Sequence, residues 1–276
     1  MKKIAIAVLT RGYNDLESYN KLIARNVLIH DKLTINSKFD YDVVIFHEGN
    51  ITEEHQAYIS NNSKLPLIFK DVKQSGDKTA FDDSKNIVNT ELCPPTELSS
   101  RFTLGYKHMC YFWSINLFNY LSEYEYVIRM DEDVFLDVID PALVEEIIDG
   151  DIKFAIPYMC DSLDHPDVIV GLEKLLNKFY VDNNITPQVS YKDIYAPNTN
   201  FMILNLQYFK NHTTVQSFLS EVDKSHGIYS NRWGDAPIWG IILYALQEEA
   251  FYLCDTVSYF HESHGHHVNK PKPFFI

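Results

Sequence analysis

Positive charge is what this chain has least of. Its 24 Lys and Arg face 38 Asp and Glu, a formal net charge of −14 over 276 residues. That balance excludes a general nucleic-acid binder, which needs a basic footprint. An acidic protein that holds a phosphorylated ligand must recruit cations locally, through a metal or a few placed Lys and Arg. Cysteine is also sparse. Cys93, Cys110, Cys160 and Cys254 are far apart and form no C-x-x-C, so they read as reduced residues, most of them buried. No apolar run approaches the ~20 residues that cross a bilayer. The run after Met1-Lys2-Lys3 is only about seven residues, too short for a signal h-region with its cleavage site, and reads as a first strand. The expectation is a soluble, cytoplasmic protein with no membrane span. No internal repeat, low-complexity segment or domain-separating linker is visible.

What the chain does have is an ordinary globular composition, 46% hydrophobic and 22% charged, with enough length for a large core. Its 18 Tyr and 17 Phe suit stacking on sugars and bases, or simple core packing. Lys3–Leu9, Asp42–Phe46 and Leu65–Phe69 read as strands. A helix over Leu16–Leu33 and another capped by Thr52 separate them. This β-α-β-α-β order implies a doubly wound start with a ligand crevice at the strand C-termini. Residues 71–100 read as an exposed loop, a lid or acceptor-side insertion. A helix from Gly105 to Leu121 follows, with Tyr106, Cys110, Trp113 and Leu117 on one face. Further helices are expected at Pro141–Ile148, Asp167–Tyr180, Gln207–Val222 and 234–247, with strands at Ile152–Ile156, Phe201–Leu204 and Ala250–Leu253.

The segment Tyr124–Phe135 carries the sharpest chemistry. An apolar run ends in Asp131-Glu132-Asp133. Residues two apart on a strand share a face, so Asp131 and Asp133 converge while Glu132 points away. Such paired oxygen ligands suit Mn²⁺ or Mg²⁺ bridged to phosphates. Alone, the triplet reads as readily as a solvated turn. A second segment, Arg232-Trp233-Gly234-Asp235-Ala236-Pro237, is followed by Tyr259-Phe260-His261. Asp235 is either a helix N-cap or a carboxylate for an acceptor hydroxyl. Arg232 can pair with a diphosphate or with Asp235. Arg11, after the first strand, suits a nucleotide contact. Asp40, Asp42 and Glu48 can read a ribose or base. His264, His266 and His267 read as a mobile tail more readily than as a zinc site.

Together with Tyr106-Lys-His-Met-Cys110 and the strand Tyr124–Arg129, these patches resemble the fungal α-1,2-mannosyltransferases of glycosyltransferase family 15. The resemblance covers about residues 100–265. It implies one GT-A type α/β domain over 1–276, a mixed, mainly parallel sheet with helices on both faces. Residues 1–100 would form the nucleotide-binding half and 101–276 the metal and acceptor half. It implies a Mn²⁺-dependent (or Mg²⁺-dependent) enzyme transferring mannose from GDP-mannose to a glycan or glycoconjugate hydroxyl with retention. Asp131, Asp133 and His261 would hold the metal. Arg11, Tyr106, Asp131 and Arg232 would bind the donor, with Asp235 and Asn200 catalytic. One departure stands out: where the family has Asn-Phe-Glu-Ile, with the Glu a candidate nucleophile, this chain has Asn200-Phe201-Met202-Ile203. A UDP-sugar donor, a metal-dependent hydrolase or nucleotidyltransferase, and a non-catalytic nucleotide- or carbohydrate-binding relative are the rival readings.

Overall fold

The computed structural model describes residues 2–74, 80–247 and 249–269. Two sheets organise it. The larger has seven strands in the order β3-β2-β1-β4-β7-β6-β8: β1 Ile4–Leu9, β2 Tyr41–His47, β3 Leu67–Asp71, β4 Tyr126–Met130, β6 Phe154–Ile156, β7 Phe201–Asn205 and β8 Tyr252–Leu253. β1, β2, β3 and β4 are mutually parallel, and β7 runs antiparallel to β4 and β6. A small antiparallel sheet joins β5 Val134–Val138, β9 Ser258–His261 and β10 His266–Val268. The strand expectations over the large sheet hold to within a few residues. The small sheet was not anticipated.

The local causes are visible. β1 is an unbroken apolar run because both its faces are covered. Ala5 and Ala7 enter one core with Phe46, Trp113 and Trp239, while Ile4 and Ile6 enter another with Ile128 and Phe201. Helix α1, Asn20–Ile29, follows β1. Helix α2, Glu53–Asn62, starts where Thr52 accepts from the His55 N–H at 3.2 Å. Helix α3, Leu104–Tyr111, continues through wide π-type turns at Phe112–Asn116 to Tyr120. The helix Pro141–Asp149 has Pro141 in its first turn and Asp140 as its cap.

Two expectations fail. The segment 207–222 is not one helix. It breaks at His212, whose extended backbone ends Leu206–Asn211 and caps Thr213–Ser225. The described part of 71–100 is an irregular, mostly exposed segment, anchored by the buried Val72, Ala80, Phe81, Cys93 and Ser99; positions 75–79 lie outside the described residues. The histidine-rich segment is not a loose tail either, because 266–268 pair with 259–261 as a hairpin. Among the described residues, no helix is long and apolar enough to cross a membrane.

Candidate active site

The site forms where the two sheets meet. β4 leaves the large sheet at Met130, and β5 enters the small one at Val134. The intervening Asp131-Glu132-Asp133 is a turn, closed by the Val134 N–H on the Asp131 carbonyl (3.2 Å). The Asp131 N–H is held by the Asn200 carbonyl at 3.0 Å. Strand alternation therefore does not apply through the triplet. Glu132 does not point away. Its carboxylate accepts from Tyr13 Oη at 2.7 Å and from Thr10 Oγ1, and it lines the same cavity as its neighbours.

Asp133 and His261 face one another, Oδ1 to Nε2 at 3.3 Å. The Ser263 N–H donates to the second Asp133 oxygen at 2.9 Å. Burial pushes the Asp133 carboxyl up, but hydrogen bonds from His261 and Ser263 outweigh it and hold it well below the usual carboxylate range. His261 is buried. Its Nδ1 lies 3.1 Å from the Asn200 amide, and the His264 ring stacks on it with centroids 4.5 Å apart.

Arg129 organises the neighbouring carboxylates. It lies on β4 two residues before Asp131, whose Oδ1 accepts from its Nε at 3.1 Å. Its Nη1 donates to Asp235, and its guanidinium lies 4.5 Å from the Trp113 ring. Burial raises the Asp131 pKa, and Arg129 opposes that rise. Asp235 is thus no N-cap. It is the first residue of the helix Asp235–Ile241 and makes no capping bond. Arg232 does not pair with Asp235. It donates to Asp164 and to Tyr106 Oη, both at 2.7 Å, and its guanidinium lies against the rings of both Phe102 and Tyr106. Its φ of +71° is that of a left-handed C-cap, which closes the helix Gly227–Asn231.

Two cavities meet here. The first, about 760 Å³, lies beyond the C-terminal ends of β1, β2 and β4. It contains Arg11, Tyr13, Lys21, Glu48, Phe81 and Trp113 among its walls. The second, about 480 Å³, takes in Arg129, Asp164, Asn200, Arg232, Asp235 and His261. Tyr106, Met109, Asp131, Asp133 and Ser263 line both. A larger depression, about 990 Å³, surrounds Lys3, Glu125 and Lys153. That is the opposite end of the parallel strands, where doubly wound sheets do not place ligands.

The structure thus gathers Tyr106, Asp131, Asp133, Asn200, Arg232, Asp235 and His261 around one junction. Arg11 stands apart in the first cavity, where its Nε donates to Tyr13 Oη at 3.2 Å. Of the candidate base or ribose readers, Glu48 lines that cavity; Asp40 and Asp42 line neither. Sequence reasoning assigned no role to Arg129, Tyr13 or Asp164. Arg129 could have been found from its position two residues before Asp131 on a strand. Tyr13 and Asp164 carry no such signal.

A family model described as glycolipid 2-alpha-mannosyltransferase matches residues 161–272. Glycolipid 2-alpha-mannosyltransferase 1 of Candida albicans is 24% identical over 255 residues, covering 84% of this chain and 57% of that protein. The chain spans about half the length of the curated relatives it matches. Core-mannan synthase A from Aspergillus fumigatus, solved in a Mn/GDP form, superposes with a TM-score of 0.75 at 19% identity, over 95% of this chain and 75% of that one. The mannosyltransferase Ktr4p of S. cerevisiae in complex with GDP gives 0.71 at 17% identity, over 94% and 71%. The fold is the GT-A glycosyltransferase fold, and residues 161–272 are similar to the glycolipid 2-alpha-mannosyltransferase family.

Proposed function

We propose that this protein is a metal-dependent retaining hexosyltransferase that moves mannose from GDP-mannose to a sugar hydroxyl. The observation that carries the proposal is the junction of two cavities at Asp131 and Asp133, with His261 facing Asp133. The first cavity suits the nucleotide and the second the acceptor. The Mn/GDP form of core-mannan synthase A and the GDP complex of Ktr4p support that donor and that metal.

The residues present fit a divalent cation. Two ligands each ~2.1 Å from a cation, and at right angles, stand ~3 Å apart. Asp133 Oδ1 and His261 Nε2 are 3.3 Å apart. Among the described residues, no three His, Cys, Asp or Glu side chains form a complete cage. That suits a cation whose remaining positions are filled by phosphate oxygens and water. The charge of the first cavity supports a cation there. Its charged lining is Arg11 and Lys21 against Glu48, Asp131, Glu132, Asp133 and Glu262. Lys21 is already paired with Glu262. Such a lining repels a diphosphate unless its charge is neutralised. A bound Mn²⁺ would neutralise the departing diphosphate as a Lewis acid.

The chain's own residues account for the rest. Arg129 holds Asp235 at the wall of the second cavity, where its carboxylate can accept the proton of an acceptor hydroxyl. Tyr106 borders both cavities, so it can touch donor sugar and acceptor together. Asn200 orients His261 rather than attacking carbon, since its amide lies against the ring. Met202 lines neither cavity. It is fully buried on β7, directly opposite Arg129 across the β4–β7 ladder. A thioether there cannot serve as a nucleophile, and with Asp235 held by Arg129 for the acceptor proton, this reading takes transfer with retention as attack on the face the diphosphate leaves.

A thermal-shift panel of GDP-mannose and UDP-sugars, each with Mn²⁺, Mg²⁺ or EDTA, tests the donor and the metal together. A shift confined to GDP-mannose plus Mn²⁺ is expected. A shift with a UDP-sugar would move the donor. No shift with any donor would overturn the transferase reading in favour of a non-catalytic relative.

A further inference from the structure

Arg25 lies on α1, in the segment read from sequence only for its apolar spacing. Its side chain is fully buried, at 0% exposure, and no carboxylate among the described residues hydrogen-bonds to it. Nη2 donates to the Met130 carbonyl at 2.9 Å and Nε to the Asp131 carbonyl at 3.1 Å. Nη1 donates to Asn26 Oδ1 at 2.8 Å. Asn26 donates in turn to Ser63 Oγ (3.1 Å), and Ser63 to the Ile59 carbonyl (2.7 Å). A continuous chain of hydrogen bonds therefore runs from α2 through α1 to the two peptides at which β4 becomes the carboxylate turn.

A buried arginine is costly unless its position does something. Here it satisfies two carbonyls at the point where the strand ladder ends. It also sets a positive charge beneath the turn. Burial pushes its pKa down to about 9, and the charges of Asp131 and Glu132 push back. The group is cationic at neutral pH and offsets repulsion within the carboxylate triplet.

We infer that Arg25 is a positioning residue for metal binding: its two-carbonyl clamp fixes the turn so that Asp131 and Asp133 present their carboxylates in one geometry. The inference rests on the metal-dependent reading above. It makes a sharp distinction between charge and shape. Lysine keeps the charge but cannot span both carbonyls with a planar fork. If the clamp sets the site, Arg25→Lys loses most of what Arg25→Met loses.

The test is Mn²⁺ titration of the whole chain in saturating GDP, followed by electron paramagnetic resonance, with thermal melting run alongside. Arg25→Lys is expected to melt cooperatively and bind Mn²⁺ at least ~10-fold more weakly, as loss of an outer-shell partner does. Asn26→Ala, which removes the Nη1 partner and its link to Ser63 but leaves both carbonyl contacts, is expected to weaken Mn²⁺ by a smaller factor and covers the case in which the Arg25 variants do not fold. Wild-type Mn²⁺ affinity in a folded Arg25→Lys, or in Asn26→Ala should the Arg25 variants not fold, overturns the inference while leaving the metal reading intact. Failure of the wild-type chain to bind Mn²⁺ overturns both.

Discussion

The two cavities use charge in opposite ways. In the first, carboxylates outnumber cations, and Arg11 and Lys21 sit at its exposed edge. In the second, two arginines are largely buried and each is already committed, Arg129 to Asp131 and Asp235, Arg232 to Asp164 and Tyr106. A wall on which carboxylates outnumber the cations that line it suits a cation and the diphosphate it would carry. A wall of compensated pairs, rich in directional donors and acceptors, is a place for a neutral polyhydroxylated molecule. On the proposed reading, the difference assigns metal dependence to one cavity and acceptor geometry to the other, joined through Asp131 and Asp133.

The comparison breaks most visibly if the metal does not act where the charge says it should. Asp133→Ala and His261→Ala are each expected to abolish Mn²⁺-dependent donor binding by calorimetry. Turnover should fall ~10³-fold or more, equivalent to ~4 kcal/mol of barrier. A variant that keeps both would remove the metal from this junction. On the acceptor side, Arg129→Met leaves Asp131 and Asp235 without their buried counter-charge. We expect a loss of about 3–5 kcal/mol in urea unfolding; a near-neutral result would show that the pair adds nothing to the fold. Between the two in consequence is Tyr13→Phe, which frees one Glu132 oxygen. It should raise the donor KM several-fold and leave the acceptor KM unchanged, and the reverse pattern would invert the assignment of the cavities.

Smaller effects sharpen the picture. Met202→Leu conserves volume in the core and is expected to cost less than ~1.5 kcal/mol. Turnover should stay within a few-fold, and a collapse in activity with the fold intact would mean that the sulfur takes part in the reaction. Asp133 supplies a pH test. Its carboxyl is depressed in the folded chain, so its contribution to stability is complete above the unfolded value of ~3.9 and disappears as pH falls through the lower folded value. The stability gap between wild type and Asp133→Asn should therefore be constant near neutrality and close below about pH 4. A gap that opens on acidification would contradict the depressed pKa.

Much of this protein can be read along the chain. Apolar runs such as Ile4–Leu9 and Tyr126–Met130 identify strands because burial on both faces leaves no room for polar residues. Thr52 and Pro141 mark helix starts because capping and ring geometry are local. Asp131, Asp133, Asp235 and His261 stand out by residue type and order. What tertiary structure alone decided is how these groups meet. The turn that redirects Glu132 exists because β4 and β5 belong to different sheets. Arg129 chooses Asp235, 106 positions further along the chain, and Arg25 chooses the Asp131 carbonyl, also 106 positions on. The histidine segment becomes a hairpin only because β5 supplies an edge for it. Periodicity reports which face of an element is buried; it carries nothing about the partner that a buried charge will find there.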